Sequence, residues 1–395
     1  MHKFTILIAV ISAMTFLVAC DRSAHTPDNG GIPIELDKRY IQFDAGIRTR
    51  GINEGTTLQE NFNVLGYQYT TTWENEKLLA APNVFVSGSS TIQPQLVQYR
   101  SATGLFEYTP LQSWTSNKYS FFAYYPASNS SIKAFGNSNN NAKQGQPYIT
   151  YDLPSTSSSS STNRDPSNMI DVMTASVIDT DVSNSTVGLH MLHRLSAVDV
   201  SIRNYDKYTY NNNEYELEIL ISSLTITFTR MNTSVTIYLD PSVPSVPTSQ
   251  NGNNLRIYNI VGNTSSYSTN NPLSISYNPD EKVVVKKNNT NKTPLTMLLI
   301  PQVDLNKEGY LEGKISITYR KRFTDNNGRT RYINSRGNAS TSASDISSTI
   351  NFTFDRQLEE GRRYEIVFNF ASDDVAIQVD PIADWDTKDV DHEFI

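Results

Sequence analysis

The sequence contains a single cysteine, Cys20, so no disulfide can form within the chain and the fold must depend on its hydrophobic core. Histidine is also scarce, with 5 in 395 residues, and only His190 and His193 lie far from both ends. Residues three apart on a strand point to opposite faces, and the pattern around them is strand-like. We therefore expect these two histidines to pack or hydrogen-bond rather than to share a metal ion.

Sequence motifs of familiar enzyme classes are missing as well. The chain has no G-x-S-x-G, no phosphate-binding glycine loop, no H-E-x-x-H and no C-x-x-C. The acidic residues between Asp373 and Glu393 lack the spacing of a calcium loop and indicate a solvated face. The sequence therefore predicts no enzyme, no catalytic residue, no cofactor and no metal site. A hydrolase with an unrecognised site is the remaining enzymatic alternative.

Positive charge is not concentrated enough to suggest nucleic acid as a partner. The net charge is −7 and the charges are spread along the chain, whereas phosphate binding needs clustered Lys and Arg. The turn residues Asn326-Asn327-Gly328 predict a β-hairpin between Tyr319 and Tyr332. Five basic residues flank this turn: Arg320, Lys321, Arg322, Arg329 and Arg331. We interpret them as charges on an edge hairpin that block unwanted strand pairing.

Long hydrophobic runs are missing after the first residues of the chain. The run that follows Lys3 is shorter than the roughly 20 residues of a membrane-spanning helix, so residues 1–19 are predicted to be a secretory signal. The signal ends in Leu17-Val18-Ala19-Cys20, a small residue before a lone cysteine, which resembles the bacterial lipoprotein processing site. Cys20 is therefore predicted to be lipidated and to tether the protein to a membrane, although a plain signal peptide is the alternative.

The residues after Cys20 predict an export route and a spacer. Residues 20–37 are polar, contain Pro and Gly, and indicate a disordered tether. Everything after Cys20 is expected to lie outside the cytoplasm. An acidic residue after the lipidated position retains lipoproteins on the inner membrane of some bacteria, so Asp21 leaves the sorting between the two membranes open.

Helical periodicity is nearly absent, and short apolar alternations separated by Asn, Ser, Gly and Pro predict an all-β protein. In the first half the predicted strands are 62–69, 83–86, 96–100, 118–125 and 148–153. In the second half alternations lie around 198–202, 226–228, 235–239, 315–319, 350–354, 366–370 and 375–379. The low-complexity stretches 128–146 and 155–166 are predicted to be surface loops. We predict two tandem β-sandwiches, over residues 38–187 and 188–395.

The first predicted strand has the features of a removable element. Ile41, Phe43, Ala45 and Ile47 alternate with polar residues or glycine, as in a strand buried on one face. The chain then becomes polar and carries two arginines at protease-accessible positions, Arg48 and Arg50. Removing this strand would leave unpaired backbone groups and an apolar groove that could accept a strand from another chain. The alternative is an ordinary first strand followed by an exposed arginine.

Several short motifs occur in an order that resembles a known family. They lie at residues 17–20, 47–51, 121–126, 193–198, 299–302, 358–368 and 379–385. Together they resemble the fimbrillin family, the lipoprotein pilins of type V pili in Bacteroidetes-type bacteria. The resemblance implies two transthyretin-like sandwiches, lipoprotein export to the outer membrane and a cell-surface fimbria, and cleavage by an arginine-specific protease after Arg50 or, second, after Arg48.

The resemblance also implies polymerisation by donor-strand exchange with other fimbrial subunits. The family draws its donor from the C-terminal end, which here corresponds to residues 375–395, with apolar anchors at Val375, Ile377, Val379, Phe394 and Ile395. The acidic stretch 386–392 alternates poorly, which leaves open a stalk, tip, anchor or accessory role in adhesion. The alternative function is a monomeric surface lipoprotein that binds glycans through exposed aromatic side chains.

Overall fold

The computed structural model describes residues 39–48, 54–76, 84–85, 94–135, 147–154, 163–164, 166–228, 233–241, 260–262, 273–277, 283–285, 291–301, 311–354, 358–371 and 374–384. These residues are almost entirely in β-strands, which confirms the predicted all-β class. The described helical segments are the single turns α1, Trp73–Glu76, and a 3-10 turn, Pro166–Asn168. Neither of these segments is long or apolar enough to cross a membrane.

The strands are numbered in chain order. They are β1 Gln42–Arg48, β2 Glu54–Thr57, β3 Phe62–Tyr69, β4 Gln95–Arg100, β5 Leu105–Glu107, β6 Lys118–Tyr125, β7 Ile132–Phe135, β8 Tyr148–Asp152, β9 Asn163–Arg164, β10 Met173–Thr180, β11 Thr186–His193, β12 Ser196–Asn204, β13 Lys207–Tyr210, β14 Asn213–Glu216, β15 Glu218–Phe228, β16 Ser234–Tyr238, β17 Ile260–Gly262, β18 Leu273–Tyr277, β19 Val283–Val285, β20 Asn291–Leu299, β21 Leu311–Thr324, β22 Thr330–Ile333, β23 Ala339–Ser340, β24 Ile346–Phe354, β25 Arg362–Ala371 and β26 Asp374–Asp384.

The first half of the chain forms an eight-stranded sheet with the order β2-β1-β11-β10-β6-β3-β4-β5. The end of this sheet that carries β5 returns to β1, because the segment after β5 contacts the chain just before β1 through a bridge between Ser113 and Tyr40. The sheet therefore curls around its own apolar face, and β1 is enclosed on that face.

The second half forms further sheets. One has the order β20-β12-β25-β26, and another the order β23-β22-β21-β15-β18-β9, with β19 added to β15 and β24 added to β21. A two-stranded ribbon, β13-β14, packs its tyrosines against Phe323. These sheets are consistent with a sandwich in the second half, whereas the transthyretin-like detail stays a prediction.

Strand β6 separates two hydrophobic cores. Phe121 belongs to the core inside the first sheet, whereas the next residue, Phe122, belongs to a larger core shared with the second half. Both rings are fully buried, as the crowded aromatic residues of this strand predict. The indole nitrogen of Trp73 extends the contact between the halves by donating a hydrogen bond of 2.7 Å to the buried carboxylate of Asp240.

The strands of the first sheet and those of the other sheets are not separated by a single point in the chain. The predicted boundary between residues 187 and 188 falls inside β11, which pairs with β1 and β10 of the first sheet. Earlier in the chain, β7 and β8 already leave that sheet and join β16 and β17 in a four-stranded one. The two-domain division therefore stays a prediction, and the described strands of the two halves interlock.

Several predicted elements differ from the structure. Residues 84 and 85, predicted as strand, form a bend whose side chains lie over Gly66, where a Cβ atom would come within 2.8 Å of both Val84 and Phe85. The stretch 128–146, predicted as a loop, contains β7, which is held by its ladder to β8. The low apolar content of this stretch is offset by backbone pairing, which composition does not reveal.

The basic hairpin is confirmed as a hairpin, but its predicted edge position was wrong. β21 and β22 pair across residues 325–329, and Gly328 has a φ of 73°, which favours glycine. β21, however, lies inside its sheet, with β15 on one side and β24 and β22 on the other. The ion pairs of its flanking cations are Arg320–Asp345, Lys321–Asp206, Arg322–Glu218 and Arg331–Asp325.

Candidate functional site: the first strand and its groove

β1 is an internal strand although it stands near the start of the sheet. Its residues pair in parallel with β11, with Phe43 opposite Val187 and Ala45 opposite Leu189. On its other side it pairs antiparallel with β2, with Gly46 opposite Thr57. The amide of Leu58 continues this second ladder by donating a hydrogen bond of 2.9 Å to the Ala45 carbonyl. Removing β1 would therefore leave two strand edges unpaired.

The predicted apolar face of β1 points into the core. Ile41 and Ala45 are fully buried and Phe43 is 5% exposed, whereas Ile47 is half-buried at the rim. Burying an apolar side chain of this size stabilises a fold by about 1.5–3 kcal/mol. This face therefore fills the groove that the remaining strands of the first sheet would otherwise leave open.

Phe43 lies in a socket made of aromatic rings. Its ring centroid lies 5.4 Å from that of Phe121 and 5.6 Å from that of Tyr108. Phe62 and Phe85 complete the socket at 6.4 and 6.2 Å. Two of these contacts are edge-to-face, the arrangement that the ring quadrupoles favour.

The residues just before β1 are bound to the segment after β5. The amide of Ile41 donates to the carbonyl of Gln112 and the amide of Trp114 donates to the carbonyl of Arg39, each at 2.9 Å. The Tyr108 hydroxyl donates to the Ile41 carbonyl at 2.9 Å and accepts a bond from the Gln112 amide at 3.2 Å. Burial raises the pKa of Tyr108 to about 12, and the bond from Gln112 opposes this shift.

The two predicted cleavage residues differ in their placement. Arg48 is the last residue of β1 and pairs with Glu54 of β2, so its backbone is part of the ladder. Arg50 lies in the connection 49–53, outside the described residues. Cleavage at either position stays a prediction.

The candidate donor anchors are divided between a strand and residues beyond it. Val375, Ile377 and Val379 lie in β26, which pairs antiparallel with β25 along its whole length. Phe394 and Ile395 lie outside the described residues, as do the predicted signal 1–19, Cys20 and the tether 20–37. Donation of β26 would first require it to leave its own sheet.

Several of the motif segments noted in the sequence meet where the chain passes from β11 to β12. Arg194 is buried there; it contacts the Glu360 carboxylate, and its Nε atom donates a hydrogen bond of 2.5 Å to the Thr174 hydroxyl. Ser196 lies opposite Leu299 and also donates to the Glu359 carbonyl at 2.7 Å. Segments 193–198 and 358–368 and the described part of segment 299–302 thus meet at one junction between the sheets.

The structure also bears on the alternatives. His190 is exposed and His193 is buried beside Asp171 at 2.7 Å, so the two rings occupy opposite faces as predicted. Among the described residues no group of three or more His, Cys, Asp or Glu side chains could hold a metal ion. Among the same residues, Tyr205, 54% exposed, is the one large aromatic side chain on the open surface. Other aromatic rings near the surface, such as Tyr99 and Tyr210, are half-buried, so the glycan-binding alternative stays a prediction.

Several residues of the site were not identified from the sequence. Tyr108 and Trp114 lie in a segment with no predicted strand, and Phe85 lies in one predicted wrongly. The alternation of Val187, Leu189 and Met191 was a usable signal for β11. Its parallel pairing with β1, however, joins segments about 140 residues apart, and short-range periodicity carries no information on such a contact.

Comparison with solved structures finds a protein of similar fold. The structure is similar to a fimbrial protein from Bacteroides vulgatus ATCC 8482, with a TM-score of 0.55, 18% sequence identity, and coverage of 87% of this chain and 99% of that chain. It also matches the fimbrial anchor protein Mfa2 from Porphyromonas gingivalis, with a TM-score of 0.32, 12% identity, and coverage of 87% and 98%.

Comparison by sequence gives a broad family match. No curated protein matches the chain. A family model described as fimbrillin-like matches residues 49–385, a region that starts directly after β1. Because this match spans most of the sequence, the chain belongs to the fimbrillin-like family.

Proposed function

We propose that this protein is a subunit of a surface fimbria, and that it assembles when proteolysis frees β1 and a strand of another subunit takes its place. The observation that carries the proposal is the position of β1, which fills the core of the first sheet yet is joined to the following strand only through residues 49–53. The proposal assigns the chain a structural and adhesive role, and no catalytic one.

The covalent connection keeps β1 in its groove before cleavage. A tethered strand has an effective concentration in the millimolar range, so a strand from another molecule cannot compete with it. Cutting the connection removes this advantage while the described ladders of β1 to β11 and β2 stay in place. Cleavage therefore acts as a trigger, since it makes the exchange of one strand for another possible.

Arg50 is the favoured cleavage position in this proposal. An arginine-specific protease must bind the residues around the scissile bond in extended form, which conflicts with the pairing of Arg48 to Glu54. Arg50 is two residues beyond that ladder. Cleavage after Arg48 would require the end of β1 to separate from β2 first.

The route to the cell surface follows from the first residues in this proposal. A signal over residues 1–19 directs export, lipidation of Cys20 anchors the chain in the outer membrane, and residues 20–37 act as the tether. Because cleavage after Arg50 separates the lipid anchor from the rest of the chain, it releases the subunit for incorporation into a fibre. The partners are other fimbrial subunits and an arginine-specific protease.

The candidate donor strand in this chain is β26 with the residues that follow it. Its release breaks the ladder to β25, in which each hydrogen bond stabilises the fold by about 1 kcal/mol net. Donation therefore needs a stabilisation of similar total size when β26 binds in the groove of the neighbouring subunit. A chain that releases β26 can extend a fibre in both directions. A chain that keeps β26 can only accept a strand and occupies one end of a fibre.

Limited digestion of the unlipidated protein with an arginine-specific protease tests the proposal. Wild type, Arg50→Ala and Arg48→Ala are compared by N-terminal sequencing and by size in mild detergent. We expect wild type and Arg48→Ala to be cut after Arg50 and to form oligomers once other fimbrial subunits are added, and Arg50→Ala to remain monomeric. Wild-type protein that is cut at this site but stays monomeric with every added subunit would contradict the proposal.

A further inference from the structure

We infer that the groove occupied by β1 selects incoming strands by one pair of positions: a large aromatic side chain where Phe43 lies, and a small side chain two residues later, where Ala45 lies. The inference rests on the proposed strand exchange and specifies which partner strands it accepts. It concerns the shape of the groove rather than its overall apolarity.

The aromatic position is defined by the rings that surround Phe43. The rings of Phe121 and Tyr108 lie within 5.6 Å of it, centroid to centroid, and Phe62 and Phe85 close the remaining sides. The socket is rigid on one side because Phe121 is fully buried in β6. An aliphatic side chain in its place would leave a cavity among these rings, and buried cavities are costly.

The small position is defined by the complete burial of Ala45 between two paired strands. Its side chain is fully buried and lies opposite Leu189 of β11. Its carbonyl is held by the Leu58 amide on the β2 side, so the backbone cannot shift freely to admit a larger group. A Leu or Phe at this position would overfill the core.

The two neighbouring strands set the direction in which this pattern is presented. The strand in the groove runs parallel to β11 and antiparallel to β2. A strand inserted in the opposite direction would meet the small position before the aromatic one. The groove therefore accepts the sequence order aromatic, any residue, small.

The apolar anchors of β26 do not fit this pattern. If Val375 took the place of Ile41, then Ile377 would lie in the aromatic socket and Val379 at the small position. Both substitutions are unfavourable, because the first underfills the socket and the second overfills the site of Ala45. Strand β26 is therefore excluded as the strand that fills this groove, and the groove accepts a segment that carries an aromatic residue two positions before a small one.

Exchange of synthetic peptides into the protease-cut full chain tests the inference. A fluorescent peptide with the sequence of residues 38–50 is added to the cut protein, and uptake is followed by anisotropy and native mass spectrometry. Unlabelled competitors carry Phe43→Ala, Phe43→Leu, Ala45→Leu or the control change Asp44→Asn at an exposed position. A further competitor has the sequence of residues 374–384.

We expect the peptide with Phe43→Ala to compete at least about 100-fold less well than the unchanged peptide, and the peptide with Ala45→Leu about 10-fold or more less well. Phe43→Leu should compete better than Phe43→Ala and less well than the unchanged peptide. Asp44→Asn changes neither the aromatic nor the small position and should lose less than Phe43→Ala or Ala45→Leu. The peptide 374–384 should compete poorly.

The outcomes separate this inference from the proposed function. Equal competition by all peptides would contradict the selectivity while leaving strand exchange intact. Strong competition by the peptide 374–384 would contradict it too, and would favour assembly of identical copies. If the cut protein takes up not even the unchanged peptide, both the exchange and the selectivity are wrong.

Discussion

Among single residues, Tyr108 links the ionisation of one side chain to the attachment of β1. Its hydroxyl donates to the Ile41 carbonyl, and this bond is lost when the phenol ionises. The pKa of a free tyrosine is about 10, whereas burial raises that of Tyr108 to about 12. Because the folded-state pKa is the higher one, the stabilisation is complete below about pH 10 and is lost as the pH rises towards 12.

We therefore predict that a cut chain releases β1 faster above about pH 10, and that Tyr108→Phe reduces this dependence. The variant should release β1 faster than wild type near neutral pH, because the bond to Ile41 is missing there. Release of a fluorescent β1 from the cut protein, measured across the alkaline range, provides the test. Identical pH profiles for the two proteins would show that Tyr108 does not hold β1.

Arg194 has a structural role at the junction between β11 and β12. Its guanidinium lies between Thr174 of the first sheet and the buried Glu360 that precedes β25. Removing one partner of a buried ion pair leaves the other charge without compensation, at a cost of about 3–5 kcal/mol.

We predict that Arg194→Met and Glu360→Gln each lower the free energy of unfolding by about this amount, and that the double variant loses less than the sum. The matched control is Arg100→Met, since Arg100 forms an ion pair with Glu107 at 2.9 Å while both side chains are half-exposed. This control should cost less than about 1 kcal/mol. Denaturant titrations that give Arg194→Met no larger loss than Arg100→Met would exclude the structural role.

At the level of elements, β2 depends on β1 for its backbone pairing more than any other strand of the first sheet does. Its partner strand in the described residues is β1, and the adjacent Leu58 is buried and donates to Ala45. Strand β11 keeps its pairing with β10 when β1 leaves, whereas β2 keeps no ladder.

We predict that release of β1 exposes the Leu58 amide to solvent and speeds its hydrogen exchange by orders of magnitude, because a closed amide becomes an open one. Amides of β3, which pair with β6, should be unchanged and act as the internal control. Adding the peptide 38–50 should restore protection at Leu58. Unaltered exchange at Leu58 after β1 has been removed would mean that β2 is held by other contacts.

For the molecule as a whole, the interlocked sheets predict that the first half does not fold alone. A fragment of residues 38–187 lacks most of β11, so β1 loses its parallel partner. It also leaves Ile149 and Tyr151 of β8 without β16. We expect this fragment to show no cooperative thermal unfolding by circular dichroism, in contrast to the full chain. A sharp transition near that of the full chain would instead support independent folding of 38–187.

The sequence predicted strands better than it predicted how they pair. Residues 62–69 and 118–125 were predicted as strands with the bounds that the structure has, because alternation and aromatic content are local signals. The ladders from β1 to β11 and from β8 to β16 join distant segments, and no periodicity within a short window reports them. The apolar face of β1 was predicted correctly, whereas the aromatic socket around Phe43 depends on residues from four separate segments.

We propose that β1 must leave its groove before the subunit can polymerise, and a reversible lock on β1 tests this requirement. Gly46 and His190 lie directly opposite each other on β1 and β11, a placement that suits a cross-strand disulfide. In a chain with Cys20→Ser, the changes Gly46→Cys and His190→Cys would fix β1 to the sheet.

The measurement is polymer formation after arginine-specific cleavage, with and without reductant, in the presence of the partner subunits. We predict that the oxidised, cut chain stays monomeric and that the reduced chain polymerises as the unlocked chain does. Polymers that form equally well while the disulfide is intact would contradict it, because assembly would then proceed with β1 still in place.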